Sequence, residues 1–231
     1  MIFPISETWT MTVPVAQTTV TNLVNQWSVF LINEAPAIRE LASLEAGARD
    51  VELDRLRSRI AADLPDVTPS DIVDDALLNN SSDPYRRYIE RESTGWLHNA
   101  VNNVLAGQRG KYQGMLQGII DGRQRQAHLG RYFFEQRDFN ITIDIVDSHT
   151  LSVNFVANLE AKVVLDVDQA KVNIDADAVG LAGIATDIKR EFLDVLRGAL
   201  LQDIQNDYNG QVGAFGARTG AAFGDIGAVL H

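Results

Sequence analysis

The hydrophobic period of this chain changes at Phe139, and a fold of one class cannot accommodate both sides of the change. Downstream, "FNITIDIVD" sets Phe139, Ile141, Ile143 and Ile145 against Asn140, Thr142 and Asp144, the alternation of a half-buried strand. Upstream, "VTNLVNQWSVFL" spaces Val20, Leu23, Val24, Trp27, Phe30 and Leu31 three and four apart, the stripe of an amphipathic helix. Helical and strand patterns in separate runs predict an α+β protein.

On the helical side the first pattern meets Pro36, which predicts a boundary or kink, and continues through Ile38, Leu41 and Leu44. A charged helix with Leu53, Leu56 and Ile60 ends before Pro65, and Thr68, Pro69 and Asp71 open another. "NNSSDP" is a loop, and Asp83 and Pro84 start a helix towards Gly107 whose buried stripe includes Tyr88, Ile89, Trp96, Leu97, Val101, Val104 and Leu105. Gly107 and Gly110 bracket a turn before a helix with Tyr112, Met115, Leu116, Ile119 and Ile120 on one side. The expected order is an extended, Thr-rich arm over 1–16 and a helical region over 17–137.

On the strand side the alternation recurs at Leu151, Val153, Phe155 and Ala157, at Val163, Leu165 and Val167, and at Val172 and Ile174. These runs predict a four-stranded antiparallel β-meander with a wet, aspartate-rich face that includes Asp166, Asp168 and Asp175. A helix over about 183–207, with Ile184, Ile188, Phe192, Val195, Leu196, Ala199 and Ile204 as its stripe, is placed to back the dry face. Sheet and helix make a unit over 138–208, followed by a Gly- and Ala-rich tail over 209–231 that is mobile or orders on contact.

Two glycine ladders stand out, Gly114, Gly118 and Gly122 in "QGMLQGIIDG" and Gly216, Gly220 and Gly224 in "FGARTGAAFG". Each glycine costs a helix about 0.5–1 kcal/mol relative to alanine, so a ladder is either a packing groove or a sign of no helix. The flanking Met115, Leu116, Ile119 and Ile120 predict a tight helix contact at the first ladder. The second is a candidate contact that orders when a partner docks.

Charge bears on partners. The chain has a net charge of -11, with 14 Lys and Arg against 17 Asp and Glu in residues 1–137 and 6 against 14 in residues 138–231. Such a field repels polyanions unless a basic patch is set apart. Arg109, Lys111, Arg123, Arg125, Arg131 and Arg137, interleaved with Tyr132, Phe133 and Phe134, are the one candidate for a nucleic-acid surface. Pairing of these cations with the acidic part of the chain or with a neighbouring subunit is the favoured reading, and nucleic acid the disfavoured one.

Chemistry-bearing motifs are sparse. Asp144, Asp147 and His149 in "DIVDSH" have ligand types for a metal-dependent hydrolase, but Asp147, Ser148 and His149 also suit a hairpin turn, which is preferred. "DVDQAKVNIDAD" fails as a calcium loop, because Lys171 and Asp177 stand where the glycine and the bidentate glutamate belong. Glu92 and His98 are six apart, on different faces of their helix, and with Glu90 suggest no acid–base pair. No nucleophile elbow, H-E-x-x-H, Walker loop or dinucleotide fingerprint occurs, and there is no cysteine. No cofactor is expected, and no catalysis.

The opening "MIFPISETWTMTVPVAQ" lacks the basic start of a secretory signal, and no run is long enough to span a membrane. A cytoplasmic protein, or part of a particle assembled there, is expected. The function expected is a non-catalytic structural subunit, a homo-oligomer or one member of an assembly such as a virion or phage-tail-like component.

Overall fold

The computed structural model describes residues 2–13, 15–44, 82–124, 131–164 and 174–231, with isolated positions between 47 and 58. Its elements in chain order are β1 (Ile2–Thr12), α1 (Val15–Ser43), α2 (Asp83–Gln124), β2 (Arg131–Ile145), β3 (Thr150–Val164) and α3 (Ile174–Leu230). The class is α+β, but the four-stranded meander is not found. The described residues form a three-stranded antiparallel sheet in the order β1-β3-β2.

The correction has three physical causes. First, the two clear alternating runs are long strands of 15 residues each, and Val163 is simply the end of the second. Leu165, Val167 and Val172 lie outside the described residues, as do Asp166 and Asp168, whereas Ile174 and Asp175 fall in α3 and not on a strand. Second, the third strand comes from residues 2–12, read as an arm, which pair with β3 from Ile2↔Glu160 to Thr12↔Thr150. Third, β2 begins at Arg131, inside the stretch assigned to the helical region, and a β-bulge between Gln136 and Asp138 inserts Arg137. One extra residue reverses the phase of alternation, so Phe134 and Phe139 both face inward although five positions separate them.

The chain divides into two compact units. One comprises Met1–Val13 and Asn99–Asp207, the other Pro14–His98 and Tyr208–His231.

In the first unit the odd-numbered side chains of β3, from Leu151 to Ala161, are all buried, and the even ones form the wetter face. Phe155 packs between Phe139 at 5.5 Å and Phe192 of α3 at 5.0 Å. The covering helix stripe is Ile188, Phe192, Leu196, Leu200 and Ile204, every member fully buried. Tyr112, Leu116 and Ile120 of α2 are buried as well. Gly107 and Gly110 do not break this helix. Val101, Val104, Tyr112 and Leu116 carry one apolar face past both glycines, and a cost of about 1 kcal/mol per glycine is less than such burial returns.

In the second unit the predicted stripe of α1 is buried at all six positions, from Val20 to Leu31. Pro36 lies inside α1 and does not end it. The helix expected over 183–207 runs on to Leu230, through the stretch read as a tail. The reason is a continued stripe, Tyr208, Val212, Phe215, Thr219, Ala222 and Phe223, at spacings of three and four and buried throughout. Phe223 stacks on Phe30 at 4.6 Å and lies 5.0 Å from Trp27, which itself stacks on Tyr85 at 4.9 Å.

Candidate functional site

The first glycine ladder lies on α2 within the first unit, and it is open. A Cβ built on Gly114, Gly118 or Gly122 meets no atom within 4 Å, so the tight helix contact expected there is not made among the described residues. Gly118 and Gly122 instead floor a groove of about 430 Å³ with Met115 and Ile119, walled by Val195 of α3 and by the ion pair of Arg123 with Glu191 at 2.9 Å. Val195 is 44% exposed, a large apolar side chain beside a groove whose lining is part apolar and part charged.

The second ladder lies on α3 in the second unit, and one rung of it is packed. A Cβ on Gly216 would stand 3.3 Å from Leu23 Cδ2, whereas Gly220 and Gly224 face open space. Gly227, three turns beyond Gly216, admits the Glu34 carboxylate to within 3.1 Å of the position a Cβ would take. Close approach therefore occurs at an eleven-residue spacing, which returns a helix to nearly the same face, and not along the i, i+4 rungs.

Four of the six basic residues of the segment engage acceptors of their own chain. Arg109 donates to the Phe139 carbonyl at 2.7 Å and to Asn140 Oδ1 at 3.3 Å, Lys111 pairs with Asp203 at 2.7 Å, and Arg123 with Glu191. Arg137 pairs with Glu160 and Glu135, and Lys162 also reaches Glu135. These partners hold the Glu135 carboxyl below its ordinary range, the Lys162 hydrogen bond most strongly, and Glu160 raises the Arg137 guanidinium. Arg131 lies in β2, and Arg125 falls outside the described residues.

At the β2–β3 turn Asp147 and His149 do come together. Asp147 Oδ1 accepts the His149 backbone N–H at 2.9 Å, the hydrogen bond of an aspartate-led turn, and this bond first among several holds the Asp147 carboxyl low. Ser148 Oγ and Asp147 Oδ1 lie 3.1 and 3.4 Å from the same ring nitrogen, Nδ1. A proton relay needs one partner on each nitrogen, so these three residues do not form one. Among the described residues no three His, Cys, Asp or Glu side chains form a group able to hold a metal ion, and Asp144 stands on the wet face of β2.

A cluster not anticipated from sequence joins α2 to α3 within the first unit. Asp203 Oδ2 accepts from Tyr112 Oη at 2.7 Å as well as from Lys111, and Asn103 donates to Asp207 at 3.2 Å. Burial opposes the charge on Asp203, but the bonds from Lys111 and Tyr112 outweigh it and hold the carboxyl below its ordinary value. Burial and the adjacent carboxylate push the Tyr112 phenol well above its usual range. A carboxyl lowered by folding contributes stability above its unfolded pKa of about 4, and that contribution is lost as pH falls through the folded value. Asp203→Ala is thus expected to cost about 1–3 kcal/mol at pH 7, since the buried Tyr112 hydroxyl loses its acceptor. Thermal melts of variant and parent should draw closer as pH drops below about 4, where the Lys111 pairing is lost while a protonated carboxyl still accepts from Tyr112, and a constant gap across that window would assign the whole effect to packing and the neutral hydrogen bond.

The described residues define an α+β protein in which a three-stranded sheet is combined with helices of up to 57 residues, none of them long and apolar enough to cross a membrane. Comparison with protein families, with characterised proteins and with solved structures yields no match.

Proposed function

We propose that the chain is a non-catalytic subunit of a larger protein assembly, built from copies of itself or with other subunits, in a setting such as a virion or tail-like machine. The observation that carries this reading is the open ladder. Three glycines weaken α2 by about 0.5–1 kcal/mol each, and no close packing among the described residues offsets the cost. A groove floored by glycines and bordered by Met115, Ile119, Val195 and the Arg123–Glu191 pair suits the close approach of a helix from another subunit. The engagement of Arg109, Lys111, Arg123 and Arg137 with acceptors of the same chain favours protein over nucleic acid as the partner.

Light scattering after size exclusion at micromolar concentration should give a mass above that of the monomer. Gly118→Ala, whose methyl meets open space, is expected to stabilise the isolated chain by about 0.5–1 kcal/mol. Gly118→Leu should fill the groove and shift the mass towards the monomer while the chain remains folded. A monomer at every concentration, with and without the substitution, would refute the assembly reading.

A further inference from the structure

The described sheet has two outer edges, and only one of them is protected. The Val146 N–H donates to the Thr150 carbonyl at 2.9 Å, so beyond the bulge the even-numbered residues of β2 turn their backbone groups to β3 and the odd-numbered ones turn theirs outward. There the Arg109 guanidinium occupies the Phe139 carbonyl at 2.7 Å, and the bulge at Arg137 interrupts the regular spacing a further strand would need. The β2 edge is thereby blunted.

β1 carries neither device. The Val13 N–H donates to the His149 carbonyl at 2.7 Å, which continues the register from Thr12↔Thr150 and fixes the phase of the strand. Its odd-numbered residues bond to β3, while Ile2, Pro4, Ser6, Thr8, Thr10 and Thr12 present their backbone outward. All of these are exposed, and no group among the described residues bonds that outward backbone. Pro4 falls on the outward phase, where its missing N–H costs no bond to β3. Pairing runs unbroken over eleven residues, and no side chain of the outward phase is charged. Such an edge is a template for another strand.

Charge indicates which strand. On the inward phase Trp9 carries Arg197 over its ring at 5.3 Å, and Arg197 meets no carboxylate among the described residues. Glu7 stands two residues away on the same phase, paired with Lys189. A second β1 laid antiparallel and centred on Thr8 sets its Glu7 opposite Trp9, beside the cation over that ring. The same register opposes Thr8 to Thr8, Ser6 to Thr10 and Ile5 to Met11, so hydroxyls face hydroxyls and apolar side chains face apolar ones. In a chain of net charge -11, the uncharged outward phase adds no repulsion between copies.

We propose that the outer edge of β1 is an interaction surface for β1 of a second copy of this chain, the two strands pairing antiparallel about a two-fold axis at Thr8 with Glu7 of each copy against Arg197 of the other. The contact is isologous and closes at two copies. It rests on the reading of the chain as an assembly subunit, and it leaves every bond of β1 within its own sheet intact.

The chain has no cysteine, so single cysteines report the register. Thr8→Cys is oxidised mildly at micromolar concentration and run on a non-reducing gel beside Ser6→Cys and Asn154→Cys, all exposed positions on one face of the sheet. Opposed residues of antiparallel strands stand about 4.5–5.5 Å apart, within reach of a disulfide. In this register the two Ser6 positions are about 13 Å apart along the strands, and the two Asn154 positions about 14 Å apart across them. An equal mixture of Ser6→Cys and Thr10→Cys tests a second opposed pair. Thr8→Lys sets like charges on the axis, and its mass is followed by light scattering with circular dichroism as the check on folding.

Edge pairing predicts a disulfide dimer as the main product of Thr8→Cys, at least several-fold above both controls, a heterodimer in the mixture, and a lower assembly mass for folded Thr8→Lys. Assembly by light scattering with Thr8→Cys linkage at the control level overturns the edge contact and leaves the assembly reading standing. A monomer throughout, with no linkage above the controls, overturns both. Equal linkage at all three positions shows collision of exposed thiols and overturns the contact, as does folded Thr8→Lys of unchanged mass.

Discussion

Phe155→Ala is expected to destabilise the sheet-containing unit by about 3–5 kcal/mol, the cost of deleting a fully buried aromatic ring whose surroundings cannot collapse. Phe155 sits at the middle of β3, the central strand, and neighbours on either side are fixed by hydrogen-bonded register, Glu7 in β1 and Ile141 in β2. Its ring is held edge-on by Phe139 and tilted against Phe192, so truncation removes aromatic packing from two elements as well as its own buried area. Phe155→Leu, which keeps most of the volume, should cost much less. Urea unfolding followed by far-ultraviolet circular dichroism measures both, and a loss under about 1 kcal/mol for the alanine variant would show that the site relaxes to fill the void.

Trp27→Ala should have an effect of the same size, about 3–5 kcal/mol, in the helical unit. The indole is 1% exposed and stands among Phe30, Tyr85 and Phe223 at centroid distances of 5.5, 4.9 and 5.0 Å. Its position on α1 brings it against both the start of α2 and the last turns of α3, so its removal loosens three helices together. The buried Nε1 finds no acceptor among the described residues, which makes the ring, and not a hydrogen bond, the source of the effect. Trp27→Phe therefore removes an unsatisfied donor along with some volume and is expected to cost well under half as much as Trp27→Ala. The same unfolding assay compares the two, and equal losses would imply that the N–H does find a partner.

Local pattern was enough for the parts of this fold whose stabilisation is local in sequence. The stripe of α1 from Val20 to Leu31 and the alternation of β3 from Leu151 to Ala157 are buried as their periods require, because 3.6 and 2 residues per repeat each put one set of side chains on one face. The turn at Asp147 was legible for a similar reason, since its hydrogen bond reaches only two residues along the chain. Of the candidate contact, the sequence determined that the glycines repeat every four residues, but not which rungs are covered. Gly216 meets Leu23 and Gly118 meets nothing, a difference set by where a distant helix passes.

The tertiary structure alone decided the third strand. In residues 2–12 the alternation of Phe3, Ile5, Trp9 and Met11 is interrupted by Glu7 on the inward phase and by Pro4, and neither defect is resolved locally. Lys189 from α3 neutralises Glu7, and an edge position tolerates the missing N–H of Pro4. It likewise decided the length of α3, whose glycine-rich end has weak intrinsic propensity and is helical because Phe215 and Phe223 are buried against Trp96, Trp27 and Phe30. Helix and strand periods are properties of a segment, whereas a marginal segment takes its structure from the partner that buries it, and that partner here lies more than a hundred residues away.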